Sequence, residues 1–202
     1  MRSMQDVTDL TSTLIQSRQT ILPKRLNAPG PNVEQLKCIL DVAAHAPDHG
    51  QLLPWRFVII PEALRPALGD VFAKALLERD ASATPEQVQQ AREKAFRAPL
   101  LMLLVVQDKS GDPDIDLSER LISAGCAVQN MLLMATAQGF GSALTSGKAL
   151  KSPPLRVLFS LGNDEHAICF VSIGTAERNK QPRIRPVSAQ YVTTLGSDPH
   201  EN

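Results

Sequence analysis

Ser17-Arg18-Gln19-Thr20 sets a guanidinium fork beside a short hydroxyl, a pairing able to grip a phosphate through charge-assisted hydrogen bonds. Read alone, the same four residues also fit a solvated loop. A second group lies in Ala46-Pro-Asp-His-Gly-Gln-Leu-Leu-Pro-Trp55, where proline breaks a helix and a polar loop leads into an apolar segment. Loops held in this way on a rigid scaffold are where binding residues concentrate. A helix stop, a turn at Asp48 and Gly50 and a core Trp55 account for most of it, but not for His49 and Gln51 together. His45 and His49 are four apart, yet Pro47 intervenes and no third His or carboxylate stands at ligand spacing, which argues against a metal pair. The third group, Gly139-Phe-Gly-Ser-Ala-Leu-Thr-Ser-Gly147, follows a helix and lacks a glycine at 144, so it is not the dinucleotide fingerprint. Nor is it a P-loop, since Gly147-Lys148 has no hydroxyl behind it, and Ser142 is in no nucleophile elbow. A fourth group, Arg178, Lys180, Arg183 and Arg185, reads as a solvated extension or as cations that reach a phosphate or a partner subunit.

Helices and strands must hold these groups. Asn32 with Gln35 forms an N-cap pair for a helix that Pro47 stops. Trp55 to Ile60 reads as a strand, 62–78 as a helix, and Thr84-Pro85-Glu86-Gln87 opens another that runs to about Arg97. Leu100 to Val106 is apolar on both faces, as a mid-sheet strand covered by helices would be. A long helix over about 117–138 carries Leu121, Ala124, Val128, Leu132 and Ala135 on one stripe and Ile122, Cys126 and Leu133 elsewhere, so it is expected to be surrounded. A glycine-rich turn, a short helix near 152–160 and a strand Ala167–Ile173 follow. Helices and strands do not alternate regularly, which predicts an α+β fold with three or four strands rather than a doubly wound parallel sheet.

The chain has 202 residues with 21 Lys+Arg against 21 Asp+Glu, so the formal charge is zero and no basic footprint for nucleic acid exists. The longest apolar-rich stretch, Leu121 to Ala137, is interrupted by polar residues and too short to span a membrane. Met1 to Gln16 carries no signal-peptide pattern. Cys38, Cys126 and Cys169 are odd in number, form no C-x-x-C pair and sit among apolar residues, which predicts buried thiols in a reducing cytoplasm. The expected organisation is one domain over 1–202, with 1–10 an N-terminal extension and 175–202 a C-terminal arm.

The order of these pieces resembles the nitroreductase family of flavin enzymes, and within it the short single-domain NAD(P)H nitroreductases. The resemblance rests on Ser17-Arg-x-Thr20, the Ala46-Pro-Asp-His49 loop with Gln51 and Pro54-Trp-Arg-Phe57, and Arg97-Ala-Pro99. It continues through Ser123-Ala-Gly-Cys-Ala-Val128, Ala137-Gln-Gly-Phe-Gly141 and Ser146-Gly147, covering about residues 12–174. It implies a central, mostly antiparallel sheet flanked by helices and a homodimer with FMN at the subunit interface. It also implies ping-pong transfer from NADH or NADPH through FMN to a small-molecule acceptor such as a nitroaromatic or a quinone. Carried over residue by residue, Arg18, Gln19 and Thr20 would hold the ribityl phosphate and the pyrimidine edge of the flavin. His45 and His49 would line its pocket, His49 from either chain, with Gln51 a further candidate, and Leu144, Thr145 and Ser146 would follow its other side. Met134, Ala135, Thr136, Ala137, Gln138 and Gly139 match a helix end associated with nicotinamide nucleotide binding. No protein acid, nucleophile or metal is then required, because hydride chemistry belongs to the flavin. Gln19 stands where the family usually has a second Arg, and Leu144 where close relatives can carry an aromatic residue. These departures admit a flavin-binding protein with little turnover. Fold and cofactor also admit other flavin chemistry, such as dehalogenation or ring oxidation.

Overall fold

A computed structural model defines the fold over residues 3–177 and 184–196. Arg178, Lys180 and Arg183 of the basic cluster lie outside the described residues, while Arg185 is exposed. Helix α1 (Met4–Ser17) opens on a capping box in which the Asp6 N–H donates to Ser3 Oγ (3.1 Å) and the Ser3 N–H donates to Asp6 Oδ2 (2.9 Å). It buries no residue, and Met4, Val7, Leu10 and Ile15 stand exposed. Strand β1 (Leu26–Asn27) is followed by α2 (Val33–Asp41), which starts at the expected Asn32/Gln35 box and tightens into a 3-10 turn, Val42–His45, ahead of Pro47. Then come β2 (Trp55–Ile59), α3 (Arg65–Arg79), α4 (Pro85–Glu93, capped by Thr84 and Gln87) and β3 (Leu100–Gln107). The chain continues through α5 (Leu117–Ala137), β4 (Gly141–Thr145), α6 (Pro153–Leu158) and β5 (Glu165–Ala176).

The strands form one antiparallel sheet of order β1-β5-β3-β2, with β4 also paired to β5. That is five strands where three or four were expected. The added ones are the two-residue β1 and β4, which reads in sequence as part of a glycine-rich turn. Its glycine serves close packing: a Cβ on Gly141 would stand 2.8 Å from Leu26 Cδ2, and one on its partner Gly174 would stand 2.6 Å from Pro99 Cδ.

Strand β3 is buried from Leu100 to Val106, as expected of a central strand, and its alternating side chains divide the core into two layers. Met102, Leu104 and Val106 meet Ile39 of α2 and Ala127 and Met131 of α5. Leu101, Leu103 and Val105 meet Leu68 of α3, Leu155 of α6 and Phe170. In this second layer the buried Arg65 guanidinium donates to the carbonyls of Ile60 (3.0 Å), Ala95 (2.7 Å) and Pro99 (3.4 Å). Burial lowers its pKa from the ordinary value.

Two expectations change. Helix α5 is not surrounded within one chain, because Ile122 is 66% and Leu121 37% exposed. Of the cysteines only Cys169 is buried, its thiol pushed up to about 11 by desolvation; Cys126 is half-buried and Cys38 exposed on the outer face of α2. Among the described residues no helix is long and apolar enough to cross a membrane.

Candidate functional site

Arg18 caps the C-terminus of α1, half-buried, and Gln19 beside it is also half-buried. The next residue, Thr20, forms a parallel bridge with Ser142 at the start of β4, and the Ile21 N–H donates to the Ser142 carbonyl (2.9 Å). The Arg18 segment therefore runs beside the strand that carries Leu144 and Thr145, with Ser146 just beyond. Thr145 is three residues along β4 from Ser142, about 10 Å at strand rise. The Arg18 guanidinium meets no acceptor among the described residues, although a half-buried cation ordinarily finds one. The Ser142 hydroxyl is buried without a partner.

His45 ends the 3-10 turn after α2, exposed, and His49 and Gln51 occupy a second short turn, His49–Gln51. This loop holds three departures from ordinary backbone within four residues: Gly50 (φ 67°), Gln51 (φ 51°) and, after Leu52, Leu53 (φ 47°). Such conformations cost about 1–3 kcal/mol each at non-glycine residues and persist only where the surroundings enforce them. Here the Leu53 N–H donates to Asp48 Oδ2 (2.7 Å), and Ile115 Cδ1 packs 3.1 Å from where a Gly50 Cβ would stand. The segment under it is fixed by Arg120, 1% exposed, which donates to the carbonyls of Ile115 (2.9 Å) and Asp112 (2.9 Å) and to Ser110 Oγ (3.3 Å). Asp116 caps α5 by accepting from the Ser118 and Glu119 N–H groups and the Ser118 hydroxyl, bonds that hold its carboxyl below the usual carboxylate range. His49 Nδ1 lies 2.9 Å from Glu119 Oε2. Neither Glu119 nor Arg120 stands out in the sequence; an acidic and a basic residue in a first helical turn look like an ordinary solvated start.

The two groups flank α5 on opposite sides. Glu119 and Asn130, whose amide donates to the Val42 carbonyl (3.2 Å), mark the flank that holds the histidine loop. Leu121, Gly125 and Leu132 face a small apolar hollow with Leu144 and Ile168 on the other flank, about 200° away at 3.6 residues per turn. The six residues at the end of α5 do not form one exposed surface. Ala135 is fully buried, Met134 packs on the core, and the Thr136 hydroxyl donates to the Leu132 carbonyl (2.8 Å). Gln138 caps the helix with its Oε1 buried, leaving Ala137 and Gly139 exposed.

The model of the Nitroreductase family matches residues 15–175. The chain belongs to this family. A Haemophilus influenzae relative named "Putative NAD(P)H nitroreductase" is 33% identical over 184 residues, covering 91% of this chain and 98% of the relative. The structure of a nitroreductase-like family protein from Bacillus cereus superposes with a TM-score of 0.78 at 16% identity, covering 92% and 96% of the two chains. An FMN and NADPH-dependent nitroreductase, NfnB, from sphigopyxis sp. strain HMH gives 0.71 at 17% identity, covering 92% and 99%.

Proposed function

We propose that this nitroreductase-family oxidoreductase is an FMN-dependent NAD(P)H enzyme that works as a homodimer, reducing a nitroaromatic, a quinone or a similar conjugated acceptor by ping-pong transfer. The observation that carries the reading is Arg18, a half-buried guanidinium with no acceptor among the described residues, beside the strand that ends in Thr145, with Ser146 just beyond. A cation with nearby hydroxyls is the donor set that a phosphate on a polyol chain requires. FMN, when bound, would take hydride from NADH or NADPH and pass it to the acceptor. The chain's own part is to bind and orient: Arg18, Gln19 and Thr20 at the phosphate and pyrimidine edge, Leu144, Thr145 and Ser146 along one side. Exposed Leu144 offers an apolar wall to a planar acceptor.

His45, His49 and Gln51 belong to the same site through the partner subunit. Within one chain α5 stands between them and Leu144, and the strip separating the two flanks, with Ser118, Ile122 and Gln129, is exposed. A second copy packed on this strip would cover Ile122 and bring the histidine loop of one chain to Leu144 of the other. Ile184, Val187, Tyr191, Val192 and Leu195 are exposed too, which supports an arm laid on the partner from a single-domain body. Three free thiols fit a reducing cytoplasm.

Titration of purified protein with FMN, followed by anaerobic NADH or NADPH, tests the reading. The expected results are a yellow complex, bleaching by the nicotinamide, and about 10–100-fold weaker FMN binding in Arg18→Ala, the loss of one charge-assisted contact of about 1.5–3 kcal/mol. Protein that stays colourless with FMN overturns it. A complex that stays yellow identifies a flavin binder without turnover.

A further inference from the structure

Among the described residues two histidines pair with carboxylates, and they use opposite ring nitrogens. His49 meets Glu119 through Nδ1 at 2.9 Å, whereas His166 meets Asp108 through Nε2 at 2.8 Å. A carboxylate only accepts, so in a neutral ring the nitrogen that faces it carries the hydrogen and the other keeps a lone pair. We infer that Glu119 is a positioning residue for the site: it fixes the hydrogen of neutral His49 on Nδ1 and presents Nε2 as an acceptor to a hydroxyl or N–H group of the bound ligand. The inference rests on the flavin reading above.

Several features join in this assignment. Glu119 is the third residue of α5, and its N–H is already bound by the cap Asp116 (3.1 Å), so its backbone does not depend on its side chain. Its neighbour Arg120 fixes the carbonyls of Asp112 and Ile115, and Ile115 supports Gly50. One residue of the helix thus supports the backbone of the loop and the preceding one orients its imidazole. His49 is 67% exposed at its side chain and its Nε2 has no partner among the described residues, so without Glu119 the ring would be free to rotate and to take the other tautomer. A ring that donates through Nε2 would face a ligand N–H donor to donor, and could no longer accept from a ligand hydroxyl, which would have to turn and accept instead.

The test uses the FMN-loaded protein with 15N-labelled histidine, in buffer alkaline enough that the ring signals no longer move with pH. The chain has 4 histidines, and His49→Asn identifies the signal. In the parent protein Nδ1 of His49 should show the pyrrole-type shift and Nε2 the pyridine-type shift, with His166 the reverse. Glu119→Ala should convert His49 to the Nε2–H form, leave His166 unchanged, and raise the Kd for FMN about 3–10-fold, the range for one ordinary hydrogen bond. Glu119→Gln keeps the side-chain length and should give a mixture of tautomers with a smaller loss. An unchanged Nδ1–H tautomer in Glu119→Ala overturns the role of Glu119. Conversion of the tautomer with FMN affinity and acceptor turnover both unchanged overturns instead the placing of His49 in the flavin site. Matching thermal unfolding of parent and variants separates either result from a folding defect.

Discussion

Arg65 and Arg120 make the same kind of contact in different layers of the molecule, and replacing each by Met separates stability from site geometry. Methionine fills much of the volume of the arginine stem but donates nothing. Arg120→Met leaves the carbonyls of Ile115 and Asp112 and the Ser110 hydroxyl without their donor. A buried acceptor left unmatched costs about 1–3 kcal/mol, the longer Ser110 contact contributes less, and water reaches the half-buried end. Relief of guanidinium desolvation offsets part of this. The expected net loss is about 2–4 kcal/mol, or about 5–15 °C in Tm for a chain of this size. Arg65→Met, which abandons the carbonyls of Ile60, Ala95 and Pro99, should lose a similar amount. Only Arg120 underlies the histidine loop, since Ile115 packs against Gly50 and Leu52 against Gly111. Its loss removes the support that holds Gln51 and Leu53 at positive φ. Urea unfolding of the apoprotein and FMN fluorescence titration should therefore diverge: both variants are destabilised, Arg120→Met binds FMN about 10-fold more weakly, and Arg65→Met stays within about 2-fold of the parent. Equal FMN affinities in the two variants, or an Arg120→Met variant within about 1 kcal/mol of the parent, would refute the reasoning.

Gly174→Ala should destabilise the sheet by about 1–3 kcal/mol in urea unfolding, because its Cβ would stand 2.6 and 2.8 Å from Pro99 ring atoms and 3.1 Å from the Asn27 carbonyl oxygen. The Glu165 carboxyl is held below its ordinary range chiefly by hydrogen bonds from Arg56 (2.6 and 3.1 Å), and the Arg56 guanidinium is raised in return. A lowered folded-state pKa contributes stability that is fully present above the unfolded value, about 4.3, and is lost as pH falls through the folded value. Glu165→Gln should accordingly flatten the fall of the urea midpoint below about pH 4 and leave its shape above pH 6 unchanged. Ile122→Asp places a charge on the exposed strip of α5, and sedimentation should show monomers that have also lost FMN; a flavin-bearing monomer would contradict a site shared between subunits.

Local chemistry made much of the fold legible. The Asn32/Gln35 and Thr84/Gln87 boxes form as the residue types predict, and the unbroken apolar run in β3 takes the middle of the sheet. What was not legible depends on partners distant in the chain. Gly141-Ser-Ala-Leu-Thr145 has little β propensity and becomes a strand because β5 pairs with it. Arg65 and Arg120 resemble surface cations until three acceptors converge on each guanidinium. Cys38 sits among apolar neighbours in sequence yet points outward, since the helical period, not adjacency, decides which face is buried. In the candidate site, residue types could suggest Arg18 and His49, but could not reveal that α5 lies between them or that Glu119 meets His49.

The first turn of α5 joins these features. Asp116 opens the helix as its N-cap, Glu119 holds the imidazole and Arg120 holds the segment beneath the loop, all within five residues. The exposed strip that begins with Ser118 and Ile122 starts in the same turn. If the partner subunit packs on that strip, the surface that sets subunit position and the side chains that set loop position belong to one rigid element. A helix of 21 residues cannot shift at its first turn without carrying both. Subunit packing and the presentation of His49 are then coupled through α5 itself, and mutations on the strip should alter the histidine loop even where they touch no residue in it.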